Sequence, residues 1–166
     1  MTVDQVIDTL KLEKQQRVPS RFPCRAIMVG NIAEYCDLLE KLKTIPNVEV
    51  VPSDVLFSSA DVLPAYDSLM DSQYKDKWLI LPGVSEYLRL FSRGETQRQR
   101  FTKLWRYMGY GSDLGRIIIP LWGCRAQWHD KDLHLDGDER QEDFFFDCTT
   151  DISDPQTLKI LVLSKQ

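Results

Sequence analysis

Two short apolar runs constrain the fold of this chain more than any other feature. Residues 78–81 (WLIL) and 116–121 (RIIIPL) each end at a Pro or Gly. Each is followed by a segment in which polar and apolar residues recur periodically. Buried parallel strands alternate with helices in this way, because a strand that is covered on both faces is apolar along its length. A chain of 166 residues fits one domain with a single core.

The remaining periodicity extends the same pattern along the chain. We predict helices over 3–15, 32–42, 84–91 and 101–108, and further strands over 24–29, 48–51 and 158–163. Residues 129–142 read as an acidic, irregular loop, and 144–146 as a short strand or an aromatic plug. Sequential βα units with right-handed crossovers predict a three-layer α/β sandwich on a mainly parallel, Rossmann-like sheet of about five strands. No helix follows the run at 158–163, so we expect an N-terminal fragment of a longer polypeptide.

Composition narrows the class of protein. The net charge of −4 argues against bulk affinity for nucleic acid, although it leaves a local basic face open. No apolar run approaches the roughly 20 residues of a membrane helix, and the opening MTVDQVIDTLKLEK lacks the apolar core of a secretory signal. None of the four cysteines form a CxxC pair, which favours reduced thiols in a cytoplasmic protein. They are Cys24, Cys36, Cys124 and Cys148.

The ends of the predicted strands are the first place to look for a ligand site. The turn after the first strand reads IMVGNIAEY and contains neither GxxxxGK[ST] nor GxGxxG, so an ordinary turn is the preferred interpretation. A degenerate nucleotide site at the strand ends is the alternative. Its candidate contacts are Asn31, Ser85, Glu86 and Arg125. No cofactor is predicted.

A second candidate surface is basic. Six cations follow the strand at 78–81, and Trp105 and Tyr107 are interleaved with them. Such a patch can contact nucleic-acid phosphates, but a solvated helix face or a protein interface is the preferred interpretation. The cations are Arg89, Arg93, Arg98, Arg100, Lys103 and Arg106.

The acidic segment 129–142 contains two possible metal-binding motifs, and both are incomplete. Counted from Asp130, the fifth and sixth positions are His134 and Leu135, which breaks the EF-hand pattern. His129 and His134 lie beside these acids, but no third well-spaced ligand accompanies them, so no metal site is predicted. Cys124 and His129 could form a nucleophile and its base, but a buried structural cysteine is the preferred interpretation.

Three stretches carry a resemblance to a known family: RVPSRFPCRAIMV, WLILPGVSEYLRLF and GRIIIPLWGCRAQW. They resemble the N-terminal region of PglZ-type proteins of bacterial BREX phage-defence systems, in particular the type 4 variety. The resemblance spans nearly the whole chain, but it is one of phrases and not of a catalytic signature. Such proteins carry, further along, an alkaline-phosphatase-like domain with metal-binding Asp and His residues.

The resemblance implies a non-catalytic N-terminal module that contacts other phage-defence proteins. Two histidines in the whole chain are too few for the two-metal site of the phosphatase-like domain. Three hypotheses follow: an interaction module, a nucleic-acid-binding domain that uses the basic patch, with DNA as the possible partner, and a degenerate nucleotide-binding domain. No membrane partner is expected.

Overall fold

A computed structural model describes residues 2–16, 24–52, 77–90, 117–130 and 132–148. These residues form four helices and six strands. The helices are α1 (Val3–Gln16), α2 (Ile32–Leu42), α3 (Val84–Leu88) and α4 (Glu139–Cys148). The strands are β1 (Cys24–Val29), β2 (Val48–Val50), β3 (Trp78–Ile80), β4 (Ile117–Trp122), β5 (Cys124–His129) and β6 (Asp132–Gly137).

The first four strands form one parallel sheet in the order β1-β4-β3-β2. This confirms the predicted α/β class and the parallel sheet. The described residues contribute four strands to it, against the five or so that were predicted, and the predicted strand over 158–163 lies outside them. β5 and β6 pair with each other as an antiparallel hairpin.

Both faces of the parallel sheet are buried, which explains why its strands read as continuous apolar runs. Side chains alternate across the sheet, so neighbouring residues enter different cores. Ala26 and Met28 pack in the core formed with α3, α4 and the hairpin. Ile27 and Val29 pack in the core formed with α1 and α2. Helices therefore cover both faces of the sheet.

Two predictions for the C-terminal part were wrong. Most of the segment 129–142 is regular, because it contains β6 and the start of α4. Its apolar residues Leu133 and Leu135 alternate with Asp132, His134 and Asp136, so one face of the strand packs on the core while the polar residues face solvent. The abundance of acids concealed this two-residue period.

The strand predicted as one alternative for 144–146 was also wrong, because the segment is helical and forms part of α4. The other alternative, an aromatic plug, agrees with the burial of two of its three rings. Phe144 and Phe145 are buried in the core beneath α4. The helix begins after Asp138, whose Oδ1 accepts the backbone N–H of Arg140. The remaining predicted helix, over 101–108, lies outside the described residues.

No helix among the described residues is both long enough and apolar enough to cross a membrane.

The packing of α2 predicts a large effect at Leu38, whose side chain is fully buried. Leu38→Ala should lower the free energy of unfolding by about 2–5 kcal/mol, because it removes apolar contacts and leaves a cavity. Denaturant titration followed by circular dichroism measures this. Cys36→Ala on the exposed side of the same helix is the control and should change stability by under about 0.5 kcal/mol. Equal effects of the two substitutions would contradict this assignment of the core.

Candidate functional site

The carboxyl ends of β1, β3 and β4 lie at one edge of the sheet, because these strands are parallel. Three further pieces of chain meet this edge. They are the first turn of α2, the helix α3, and the junction at which β4 passes through Gly123 into β5. We describe this edge as the candidate site, since it brings polar side chains from several elements together.

Ser85 lies at the centre of a buried hydrogen-bond network at this edge. Its hydroxyl accepts the backbone N–H of Trp122 at 2.9 Å and donates to Oε1 of Gln141 at 2.8 Å. The Gln141 amide donates in return to the Ser85 carbonyl at 2.9 Å. The network connects α3, the end of β4 and α4, so it sets the position of α4 on the sheet.

Arg89 covers the outer side of this network. Its guanidinium carbon lies 3.6 Å from the centre of the Trp122 ring, and one of its nitrogens donates to the Trp122 carbonyl at 3.1 Å. Its Nε lies 3.4 Å from the Asp138 carboxylate. Stacking on an aromatic face and pairing with a carboxylate together hold this side chain in one orientation.

Asp138 is the acidic partner of two arginines. Arg140 donates to both oxygens of the carboxylate, at 3.1 and 3.2 Å, and also to the carbonyl of Arg89 at 2.7 Å. Burial of the Asp138 carboxyl acts to raise its pKa, but the hydrogen bonds from Arg140 and the charge of Arg89 outweigh that effect and lower the pKa. The carboxylate therefore stays ionised and joins α3 to the start of α4.

Glycine is required at the junction next to Arg89. Gly123 has φ = 124°, and a Cβ atom there would lie 2.7 Å from an Arg89 nitrogen. Gly137, which pairs with Cys124 at the base of the hairpin, has φ = 149°, and its Cβ would overlap the carbonyl oxygen of Gly123. Only glycine lets the backbone turn this sharply beneath a stacked arginine.

Two of the four predicted ligand contacts meet at Trp122. Ser85 accepts its backbone N–H, and Glu86 accepts its indole N–H at 3.1 Å. Tyr35 of α2 reaches the same region, because its hydroxyl oxygen accepts the backbone N–H of Gly83 at 3.1 Å. Burial raises the pKa of Tyr35. The sequence pointed to Ser85 and Glu86 but not to Trp122, which directly follows the predicted strand at 116–121.

The other two predicted contacts lie beside Gly30. Asn31 caps α2 by accepting the backbone N–H of Glu34 at 3.0 Å, and Glu34 accepts the N–H of Gly30 at 3.0 Å. The Asn-x-x-Glu spacing is that of a capping box, except that Glu34 accepts from Gly30, the residue before the N-cap. Arg125 is exposed, and its side-chain carbon lies 3.4 Å from where a Cβ on Gly30 would be. Among the six predicted basic contacts, Arg89 is described, while Arg93, Arg98, Arg100, Lys103 and Arg106 lie outside the described residues.

The hairpin has one apolar and one polar face. Cys124, Ala126, Leu133 and Leu135 pack on the core. The opposite face, which we call the outer hairpin face, holds six exposed side chains in cross-strand register. They are Arg125, Gln127 and His129 on β5, and Asp132, His134 and Asp136 on β6.

Cys124 and His129 do not form a nucleophile and base pair. They lie at opposite ends of β5 and on opposite faces, because they are five positions apart and the side chains of a strand alternate between its faces. The Cys124 thiol is buried and lies 3.3 Å from the carbonyl of Asp138, to which it donates, and burial raises its pKa to about 11. The preferred interpretation, a buried structural cysteine, is confirmed.

Within the described ranges, no group of three or more His, Cys, Asp and Glu side chains is arranged to hold a metal ion. Comparison of this chain with protein-family models, curated proteins and solved structures found no match.

The buried network predicts a stability cost at Ser85. Ser85→Ala should lower the free energy of unfolding by about 1–3 kcal/mol, because the Trp122 N–H and the Gln141 carbonyl oxygen would both lose a buried partner. Denaturant titration gives this value. Glu86→Gln, one residue along, retains an acceptor for the exposed indole and should behave like the parent. If Ser85→Ala is also neutral, the network does not hold α4 in place.

The environment of Cys124 predicts low reactivity. With a pKa of about 11, roughly one thiol in a thousand is ionised at pH 8, and burial restricts access further. Brief treatment with iodoacetamide followed by peptide mass spectrometry should label the exposed Cys36 and leave Cys124 unmodified until denaturant is added. Equal labelling of both thiols in the folded protein would show that β5 does not pack as described.

Proposed function

We propose that this chain is a non-catalytic N-terminal interaction module of a PglZ-type phage-defence protein, with a three-layer, Rossmann-like arrangement. Its role is to contact other defence proteins in the cytoplasm and to position a phosphatase-like domain. The resemblance of the three stretches around the apolar strands supports the family, and the structure adds a surface suited to the role. The observation that carries the proposal is the outer hairpin face, which presents six polar side chains of both signs.

The position of this face suits protein recognition. The hairpin is joined to β4 through Gly123, and its apolar side is packed in the core by Leu135 and Cys124. A partner therefore meets a surface whose backbone is already ordered, which reduces the entropy that binding costs. Mixed charge at defined spacing selects a partner of complementary charge more than it adds raw affinity.

The strand ends also favour a structural role over a catalytic one. In α/β enzymes this edge commonly binds the substrate. In this chain the Ser85 hydroxyl and the Gln141 amide join α3 to α4, and the Arg89 guanidinium joins α3 to the end of β4. The polar groups at this edge thus bond to other elements of the fold and fix the end of β4, from which the hairpin continues.

Nucleic-acid binding and nucleotide binding are the alternative functions. Arg89 uses its guanidinium for Trp122 and Asp138, which favours a role within the fold. The five remaining cations of the basic patch lie outside the described residues, so DNA binding is kept as an outcome of the test. Nucleotide binding is tested by thermal shift, since a ligand at about 100 times its Kd stabilises by roughly 2.7 kcal/mol.

The interaction proposal predicts that crosslinking depends on position. A photo-crosslinking amino acid in place of Gln127, in the centre of the outer hairpin face, should capture a discrete protein in the native host, and nuclease should not reduce the yield. The same amino acid in place of Asp8, exposed on α1, is the matched control and should capture far less. Mass spectrometry of the adduct identifies the partner.

Charge reversal makes this test sharper. Asp132→Lys together with Asp136→Lys should reduce the crosslinking yield at position 127 by about tenfold or more, because a complementary surface would then face like charge. Equal capture at positions 127 and 8, or no effect of reversal, would contradict the proposed surface. Recovery of nucleic acid alone, lost on nuclease treatment or at high salt, would replace the proposal with the nucleic-acid alternative.

A further inference from the structure

The two histidines of this chain meet on the outer hairpin face. The whole sequence of 166 residues contains two histidines, His129 and His134. Both are exposed, one on each strand of the hairpin, and their ring centres lie 5.1 Å apart with an angle of 69° between the ring planes. The hairpin register explains this, because His134 pairs with Gln127 and is thus the diagonal neighbour of His129.

We propose that His129 and His134 together bind one divalent transition-metal ion. An imidazole nitrogen binds such an ion at about 2.0–2.1 Å, which places the ring centre roughly 3.2 Å from the metal. Two imidazoles at a tetrahedral angle on one ion then have ring centres about 5 Å apart. The observed separation of 5.1 Å equals the separation that chelation requires, and rotation of the two side chains about χ1 and χ2 would turn one nitrogen of each ring toward a shared ion without a shift of either strand.

Neighbouring charge supports a cation at this position. Asp132 is exposed and lies directly opposite His129 in the ladder, and Asp136 follows two residues after His134 on the same face. Carboxylates at this range attract a divalent ion and can orient its bound water. Since no three side chains of the described residues are arranged as a ligand set, the site has two protein ligands, and water completes the coordination.

The chemistry of the ligands selects the class of metal. Imidazole nitrogen suits Zn²⁺, Cu²⁺ and Ni²⁺, whereas Mg²⁺ and Ca²⁺ prefer sites built from oxygen. The exposed position and the open coordination positions fit an ion that exchanges, and a second protein that offers a further ligand could share it. The inference is independent of the proposed function, because it rests on the two rings and not on the family resemblance.

The competing explanation is that the two rings only touch. An edge-to-face pair of aromatic rings contributes about 0.5–1.5 kcal/mol by itself, so the geometry could persist without a metal. The two explanations differ in what a single substitution does to metal binding. They also differ in the number of imidazoles that electron paramagnetic resonance detects on a bound Cu²⁺ ion.

The test uses the purified full chain without a histidine tag, in a Cys36→Ser background that removes the thiol on the exposed side of α2. Cu²⁺ is added at one equivalent, and pulsed electron paramagnetic resonance counts the imidazoles bound to it. Because the chain has two histidines, every imidazole signal comes from this pair. Calorimetric titration with Zn²⁺ gives the affinity.

The expected result is a spectrum with two equivalent imidazoles. His129→Ala and His134→Ala should each leave at most one imidazole and weaken Zn²⁺ binding by about tenfold or more, because the second ligand of a chelate binds at high effective concentration. Gln127→Ala, on the same face between the strand ends, is the matched control and should bind like the parent. Circular dichroism verifies that every variant is folded.

Three results would overturn the inference. They are a parent spectrum with fewer than two imidazoles, single histidine variants that bind Zn²⁺ as tightly as the parent, and an equal loss of affinity in Gln127→Ala. Any of them would reduce the pair to a ring contact on the surface. None would bear on the crosslinking test, because that test does not involve a metal.

Discussion

The central strand β4 is the constraint on which the rest of the structure depends. It pairs with β1 on one side and with β3 on the other, and it places Ile117 and Ile119 in one core and Ile118 in the other. It then continues through Gly123 into the hairpin, so the position of β5 and β6 follows from that of β4. A displacement of this strand would disturb both cores and the candidate site together.

Pro120 lies in the part of β4 that has left its pairing with β3 and approaches the candidate site. Proline lacks the N–H that a central strand needs, so its place in such a strand requires explanation. On the side of β4 that faces β3, the Ile118 carbonyl accepts the N–H of Leu81. Four residues later, the N–H of Trp122 donates to the Ser85 hydroxyl on the same side. The backbone nitrogen of Pro120 lies between these two bonds and faces that side as well. The pairing with β3 stops at Ile118, which means that no strand is left there to require the donor of residue 120. Beyond it, a side-chain hydroxyl replaces the missing strand.

The Arg89–Trp122–Asp138 cluster links this transition to the hairpin. A charged side chain stacked on an aromatic ring and paired with a carboxylate holds three elements with few contacts. Gly123 allows the approach, because any larger residue would meet the guanidinium. The polar edge of the sheet therefore connects the sheet to the hairpin, and the outer hairpin face, which we propose as the binding surface, lies beyond it. The basic residues that looked like a surface patch from the sequence include at least one, Arg89, that belongs to this cluster.

Local patterns in the sequence determined the α/β class, the parallel strands β1, β3 and β4 to within a residue or two, the cap of α2 and the buried character of Cys124. Each of these follows from the spacing of neighbouring residues, which is why the sequence is sufficient. The hairpin, the cluster around Trp122 and the meeting of His129 with His134 depend on which strands lie side by side. Strand register joins residues that are distant or irregularly spaced along the chain, and the excess of acids in β6 hid its alternation, so only the tertiary structure decided these features.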